Sequence, residues 1–169
     1  DVLTRRDELF DCHPIQCLTF MLGEDKKGVC NVKAVSFAPL FARLAIEFNS
    51  FEENLRGGLL IRDENTVVLH IFLAASDSSY DENHHQRDDS SFLAVLVRLR
   101  HAHLFTKDDI QQYNLVHKIC QQQQFSVQRF RFLIEWDSSS LIQADQDGCL
   151  PFHWAAGSLQ AFQIVLDSL

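Results

Sequence analysis

Three segments of this chain place a histidine in the same local context. In each, a polar or acidic turn precedes the histidine, which is His70, His117 or His153, and the residue directly before the histidine is apolar. The second and third histidines follow the preceding one by 47 and 36 residues, spacings that fit a structural repeat whose loops vary in length. A repeat constrains the fold strongly, because one unit cannot bury its own apolar face and must stack on its neighbour.

Apolar residues recur at helical spacing over much of the chain. The clearest case is SFAPLFARLAIEFNS, where a helix capped by Ser36 is predicted to carry one apolar stripe: Phe37, Leu40, Phe41, Leu44, Ala45 and Phe48. Three more helices are predicted, one in SSFLAVLVRLRHAHLF behind a Ser90 or Ser91 cap and the others over residues 126–136 and 159–169. Because strand-like alternation appears only in fragments, the sequence predicts an all-α fold.

The segment DGCLPFHWAAGS resembles the Thr-Pro-Leu-His signature of the ankyrin repeat. Its Leu-Pro-Phe-His stands at the signature position, so Pro151 would start an inner helix with its φ already set. The small residues Ala155 and Ala156 follow inside that helix and allow close packing. The preceding Gly148 permits the positive φ that a tight turn requires. This combination is the strongest match to the family in the chain.

The other copies depart from the signature. At His70 and His117 the proline position holds Val68 and Leu115, and a more degenerate copy, Pro14-Ile15-Gln16, has glutamine in place of histidine. The resemblance implies that the histidines are structural brackets. Their ring nitrogens would bond the backbone of the turn and of the adjoining repeat, in a largely buried position.

The resemblance implies a short ankyrin-like solenoid of three to four stacked helix-turn-helix repeats in a single domain, 1–169. The approximate units are 10–50, 56–103, 104–137 and 138–169. The acidic, serine-rich stretch 76–91 is predicted to be a solvated, mobile insertion. We expect both ends to be cut from a longer chain, and we expect another segment or another chain to cover the apolar closing helix.

Charge and composition exclude several kinds of partner. With 15 basic against 23 acidic residues the net charge is -8, which argues against nucleic acid or an anionic membrane and favours a basic or mixed protein partner. No apolar run approaches the roughly 20 residues of a membrane-spanning helix, so membrane insertion is not expected. The five cysteines, without a CxxC pair, indicate reduced thiols in an intracellular reducing compartment, the cytoplasm or nucleus.

Neither metal binding nor catalysis is favoured. His84-His85 and the pair His101 and His103 are not spaced i, i+4, so neither pair places two ligands on one helix face. The sequence has no GxSxG motif and no glycine-rich phosphate loop, and Cys120 is expected inside a packed helix. We therefore predict no catalytic residue, no cofactor and no metal. Two alternatives stay open: a structural subunit or scaffold embedded in a larger multiprotein complex, and an α-helical histidine-dependent enzyme or metal protein.

The favoured prediction is a non-enzymatic protein-protein interaction module. In the ankyrin resemblance, turn tips and the exposed side of the inner helices form the binding face. The residues that map to this face are Asp63, Glu64, Asn65, Gln111, Gln112, Tyr113, Lys118, Gln146, Asp147, Cys149 and Trp154. Trp154 is the best candidate for an interface anchor, because aromatic side chains concentrate binding energy. Its alternative role is packing between repeats.

Overall fold

The computed structural model describes residues 2–7, 11–18, 32–63, 66–73, 82–122 and 124–169. Over these ranges the chain is helical, and the predicted all-α class is confirmed. Within them, no helix combines the length and the apolar character that crossing a membrane requires. The chain divides into two compact units, Asp1–Phe72 with Ser76–Leu104, and Leu73–Ala75 with Phe105–Leu169.

Ten α-helices, two 3₁₀ helices and one small β-ladder lie within the described ranges. In the first part of the chain they are α1 Pro14–Cys17, α2 Val32–Val35, α3 Ala38–Glu47, a 3₁₀ helix Glu53–Gly58, the antiparallel strands β1 Arg62–Asp63 and β2 Thr66–Val67, α4 Val68–Leu73 and α5 Glu82–His101. In the second part they are α6 Lys107–Gln112, α7 Leu115–Cys120, α8 Val127–Trp136, a 3₁₀ helix Ser138–Leu141, α9 Pro151–Ala155 and α10 Leu159–Asp167.

Helix α3 buries its small residues rather than its large ones. Its buried positions are Ala38, Pro39, Ala42 and Ala45, whereas Phe37, Leu40 and Phe48 of the predicted stripe are 58%, 51% and 69% exposed. The reason is a close approach of backbone: Gly57 has a φ of 66°, and a Cβ added there would collide with the carbonyl oxygen of Ala42. Of the remaining residues of the predicted stripe, Phe41 and Leu44 are half-buried and Ala45 is buried, so the prediction of the packed face is correct only in part. Phe37, not Ser36, is the residue that precedes the helix.

Helix α5 begins earlier than the sequence predicted. It starts at Glu82, so Ser90 and Ser91 lie inside the helix and do not cap it. The prediction of a loop over 76–91 is wrong from Glu82 onward, and residues 76–81 lie outside the described part. Apolar periodicity could not detect these polar first turns, because it registers only the side of a helix that packs. The predicted face of this helix was Phe92, Val95, Leu96, Leu99 and His103. The first four are buried, but His103 is exposed and lies after the end of the helix at His101.

The outer helices of the second unit follow the sequence closely. The predicted helix over 126–136 is α8, and Ser126 Oγ accepts a hydrogen bond from the Arg129 backbone N–H at 3.2 Å. Helix α10 has the same cap, since Ser158 Oγ accepts from the Ala161 N–H at 3.3 Å. Each cap satisfies one of the N–H groups that a helix start leaves without an intrahelical partner.

Candidate functional site

A recurring hydrogen bond marks the starts of four short helices. In each, the side chain of the third helical residue accepts a bond from the backbone N–H immediately before the helix. The pairs are Gln16 Oε1 with His13 at 2.7 Å, His70 Nδ1 with Val67 at 3.1 Å, Asp109 Oδ2 with Thr106 at 2.7 Å, and His153 Nδ1 with Leu150 at 2.9 Å. His70, His153 and the glutamine that replaces histidine at position 16 therefore have the same local role.

His117 is also the third residue of its helix, and it joins two elements that are distant in the sequence. Its Nε2 bonds the backbone carbonyl of Cys149 at 3.1 Å, so it connects α7 to the turn that leads into α9. The ring is 2% exposed. Burial lowers the pKa of His117 below its ordinary value of 6.5, and the Cys149 carbonyl, Asp145 and the backbone of Gln143 offset only part of that shift. The buried ring is therefore held in its neutral form.

The degree of burial differs among the three histidines. His70 and His117 are 8% and 2% exposed, but His153 is exposed. The expectation of a largely buried His153 is therefore wrong. The turn at Cys149 covers His117, and within the described residues no turn covers His153 in the same way.

The turn before α9 is organised by one carboxylate. Asp145 Oδ1 accepts hydrogen bonds from the backbone N–H groups of Asp147 at 3.0 Å and Cys149 at 2.9 Å. Gly148 has a φ of 76°, the positive value that the sequence predicted for it. Desolvation by itself would raise the pKa of Asp145, but the bonds from Cys149, Trp154 and Asp147 lower it overall. The turn therefore has a fixed shape around an ionised side chain.

Trp154 lies against this turn. Its Nε1 donates a hydrogen bond to Asp145 Oδ2 at 2.7 Å, while the residue stays 37% exposed. Beside it, Gln146 and Asp147 are exposed and Cys149 is half-buried. We call Asp145, Gln146, Asp147 and Trp154 the turn surface. Asp145 was missed as a site residue, although the Asp-x-x-Gly spacing of the turn was a signal for it.

Gln111, another predicted contact residue, forms hydrogen bonds within the chain. Gln111 Nε2 donates to Asp137 Oδ2 at 2.6 Å and to Ser139 Oγ at 2.9 Å, at the end of α8. Burial raises the pKa of Asp137, but hydrogen bonds from Ser139, Gln111 and Lys107 lower it overall. Of the other predicted contact residues, Gln112 is exposed and Tyr113 and Lys118 are half-buried, Asp63 lies in β1, and Glu64 and Asn65 lie outside the described residues.

The described histidines and cysteines were candidate metal ligands or nucleophiles, and the structure gives their surroundings. Among the described residues, no three His, Cys, Asp or Glu side chains are grouped so that they could hold a metal ion. Cys12, Cys17, Cys120 and Cys149 are free thiols. Burial raises the pKa of the Cys120 thiol to about 12, so this group is protonated at neutral pH.

Comparison with protein-family models, curated proteins and solved structures finds no match to this chain. The candidate site is the turn surface, which is defined by the hydrogen bonds of Asp145 and the exposure of Trp154.

Proposed function

We propose that this chain is a non-enzymatic protein-interaction module, built as a short ankyrin-like solenoid, and that its turn surface binds a basic segment of a partner protein. Two features support the repeat architecture. The same backbone-to-side-chain bond recurs at the starts of α1, α4 and α9, at signature positions 16, 70 and 153, as well as at the start of α6, which has no signature residue. His117 then connects one helix-turn-helix element to the next through the Cys149 carbonyl.

The observation that carries the proposed binding site is the exposed Trp154 ring, fixed by its bond to Asp145. A preorganised aromatic side chain loses little conformational freedom when a partner binds, so more of its contact energy is retained as affinity. Trp154 is therefore suited to act as an anchor.

The charge of the turn surface indicates the kind of partner. Asp147 is exposed, its backbone N–H and the Trp154 indole both bond the Asp145 carboxylate, and the chain has a net charge of -8. An arginine or lysine can stack on an indole face while its charge pairs with a nearby carboxylate. We therefore propose a basic, arginine- or lysine-containing segment as the ligand.

Peptide display provides a direct test. Peptides selected on the wild-type chain and counter-selected on Trp154→Ala are expected to be rich in arginine and lysine. In titrations with one selected synthetic peptide, Trp154→Ala is expected to weaken binding by about thirtyfold, as for an anchor that contributes about 2 kcal/mol. Asp147→Asn is expected to have a smaller effect that disappears at high salt.

Leu159→Ala is the matched control, because Leu159 is an exposed apolar residue outside the turn surface. It is expected to bind the selected peptide like wild type. The proposal fails if Trp154→Ala, with its fold intact by circular dichroism, selects and binds the same peptides as the wild-type chain.

A second candidate function, a subunit held in a larger complex, is favoured by the outer helix α10. On this helix Leu159 and Leu166 are 85% and 47% exposed. Large apolar side chains grouped at one end of a domain are typical of a surface that another protein covers.

A further inference from the structure

Helix α1 has a cysteine at each of two positions that pack on each other at a helix start. His13 precedes the helix, and its backbone N–H donates to Gln16 Oε1, in the side chain of the third helical residue, at 2.7 Å. In a helix start of this kind, the residue before the cap packs against the fourth helical residue. In α1 these two residues are Cys12 and Cys17. The register of the helix start therefore brings two thiols together.

Helix α6 shows what the same two positions hold elsewhere in the chain. Its start has the same bond, from the Thr106 N–H to Asp109 Oδ2 at 2.7 Å. The residue before its cap and its fourth residue are Phe105 and Ile110, and both are 1% exposed. An apolar pair at these positions has no redox chemistry, whereas a pair of thiols has.

The contacts around α1 hold the two cysteines close to each other. The Cys17 Sγ–H donates to the Cys12 backbone carbonyl at 3.9 Å, and the same carbonyl accepts the Asp7 N–H at 2.9 Å. Cys12 is 9% exposed, whereas Cys17 is half-buried. One thiol of the pair is therefore accessible to a small molecule in solution.

The pKa of Cys17 is consistent with this contact. Burial raises it from its ordinary 9.0 to about 12, together with a hydrogen bond to the Cys12 side chain and the negative charges of Cys12 and Asp7. The Cys17 thiol is therefore protonated at neutral pH, and its exchange with disulfides is slow. This property suits a pair that responds to a sustained change in redox conditions rather than a catalytic thiol.

We propose that the start of α1 holds Cys12 and Cys17 as a redox-sensitive pair, which glutathione disulfide converts to an intramolecular disulfide. One thiolate attacks a sulfur of glutathione disulfide and expels a glutathione thiolate, which leaves a mixed disulfide. The other thiolate then attacks the protein sulfur of the mixed disulfide and expels the second glutathione. The protein loses two electrons and two thiol protons, and glutathione disulfide gains them to become two glutathione molecules.

The disulfide would lock a turn to which the preceding segment is also bonded. Asp7 bonds Cys12 as described, and His13 Nδ1 bonds the Thr4 carbonyl at 3.0 Å. Because the disulfide and the folded state favour each other, oxidation stabilises the fold by the same factor by which folding favours oxidation. The pair lies in the first unit and Trp154 in the second, so this inference does not depend on the proposed peptide binding.

The test is a redox titration of the full chain in mixtures of reduced and oxidised glutathione. At each ratio the free thiols are blocked with N-ethylmaleimide. Mass spectrometry of proteolytic fragments then identifies the Cys12–Cys17 disulfide and any glutathione adduct. The midpoint gives the effective concentration of one thiol at the other. It is approached from both the reduced and the oxidised chain, because exchange is slow.

The effective concentration is expected to be at least about tenfold higher in the native chain than in the chain unfolded by urea. Gln16→Ala removes the bond that sets the register of α1, and it is expected to lower this value toward that of the unfolded chain. Gln163→Ala is the matched control, because it removes an exposed glutamine bond in α10, and it is expected to behave like wild type.

Three results would each overturn the proposal. The first is an equal effective concentration in the native and the unfolded chain. The second is oxidation that gives glutathione adducts on Cys12 and Cys17 without the bond between them. The third is a wild-type value in Gln16→Ala. None of these results affects peptide binding at Trp154, so the two proposals fail independently.

Discussion

The helical pairs α7–α8 and α9–α10 begin in the same way but are buried to different extents. Helices α8 and α10 each have a serine cap, and α7 and α9 each have a histidine as their third residue. Phe130 and Phe162 are equivalent, because each lies four residues after the serine cap of its helix, yet Phe130 is fully buried and Phe162 is only half-buried. The difference shows that the start of a helix and the burial of its side chains have different causes. Helix starts depend on residues within a few positions of each other, whereas burial depends on which element packs next.

The largest expected difference between the pairs concerns their equivalent phenylalanines. Phe130→Ala should lower the free energy of unfolding by about 3–5 kcal/mol, because it leaves a cavity in a packed core. Phe162→Ala should cost clearly less, since that ring is only half-buried. Urea denaturation followed by circular dichroism measures both values. Equal losses would show that the two pairs are packed alike.

The next largest loss of stability is expected at Asp137, a buried carboxylate directly after α8. Asp137 is 1% exposed and accepts bonds from Ser139, Gln111 and Lys107, so Asp137→Asn should cost about 1.5–3 kcal/mol at neutral pH. The pKa of Asp137 is lower in the folded state than its ordinary 3.8, so the unfolded chain binds more protons between the two values. The stability that the carboxylate contributes is therefore present above pH 3.8 and lost as the pH falls through the folded pKa.

The loss in Asp137→Asn should accordingly shrink in strong acid. Glu135→Gln, which changes an exposed carboxylate of the same helix, is the matched control and should stay within about 0.5 kcal/mol of wild type. If Asp137→Asn lowers the free energy of unfolding equally at neutral and acid pH, the hydrogen bonds to Asp137 do not stabilise its ionised form over its protonated form.

The two histidines should respond differently to glutamine, the residue that α1 uses at the equivalent position. His117→Gln is expected to cost about 1 kcal/mol at neutral pH by weakening the bond to Cys149, and His153→Gln should cost less because that ring is exposed.

Burial lowers the pKa of His117 in the folded state, so wild-type stability is full above pH 6.5 and falls as the pH drops below it. His117→Gln removes this source of pH dependence. Denaturation midpoints at about pH 7.5 and 5.5 measure it, and an unchanged pH dependence in His117→Gln would contradict the assignment.

The smallest effect should be the same in both pairs. Ser126→Ala and Ser158→Ala each remove one cap bond and should each cost about 1 kcal/mol. Thermal unfolding of the two variants tests whether the stability that a helix cap contributes depends only on residues nearby in the sequence. A loss several times larger at Ser126 would show that burial also sets the contribution of the cap.

Parts of the candidate site were predictable from the sequence, and parts were not. The Asp-x-x-Gly turn and the helix start at Pro151 follow from residue types at short spacing, and the choice of Trp154 as a candidate anchor rested on its residue type alone. The bond from Trp154 to Asp145 does not, because it depends on the direction of a side chain nine residues further along. Exposure of His153 was also unpredictable, since the same local sequence plan surrounds the buried His117.

Helix α3 shows the same limit in the first unit. Its apolar spacing predicted the helix correctly but the packed face only in part: Ala45 of the predicted stripe is buried, whereas Phe37, Leu40 and Phe48 are exposed, because a glycine backbone approaches the alanine side. By itself the sequence determined the helical class and the starts of α8, α9 and α10, which arise from contacts within one or two turns, whereas the serines predicted to cap α3 and α5 do not begin those helices. Only the tertiary structure decided which faces are buried, because burial depends on neighbouring elements that are distant in the sequence.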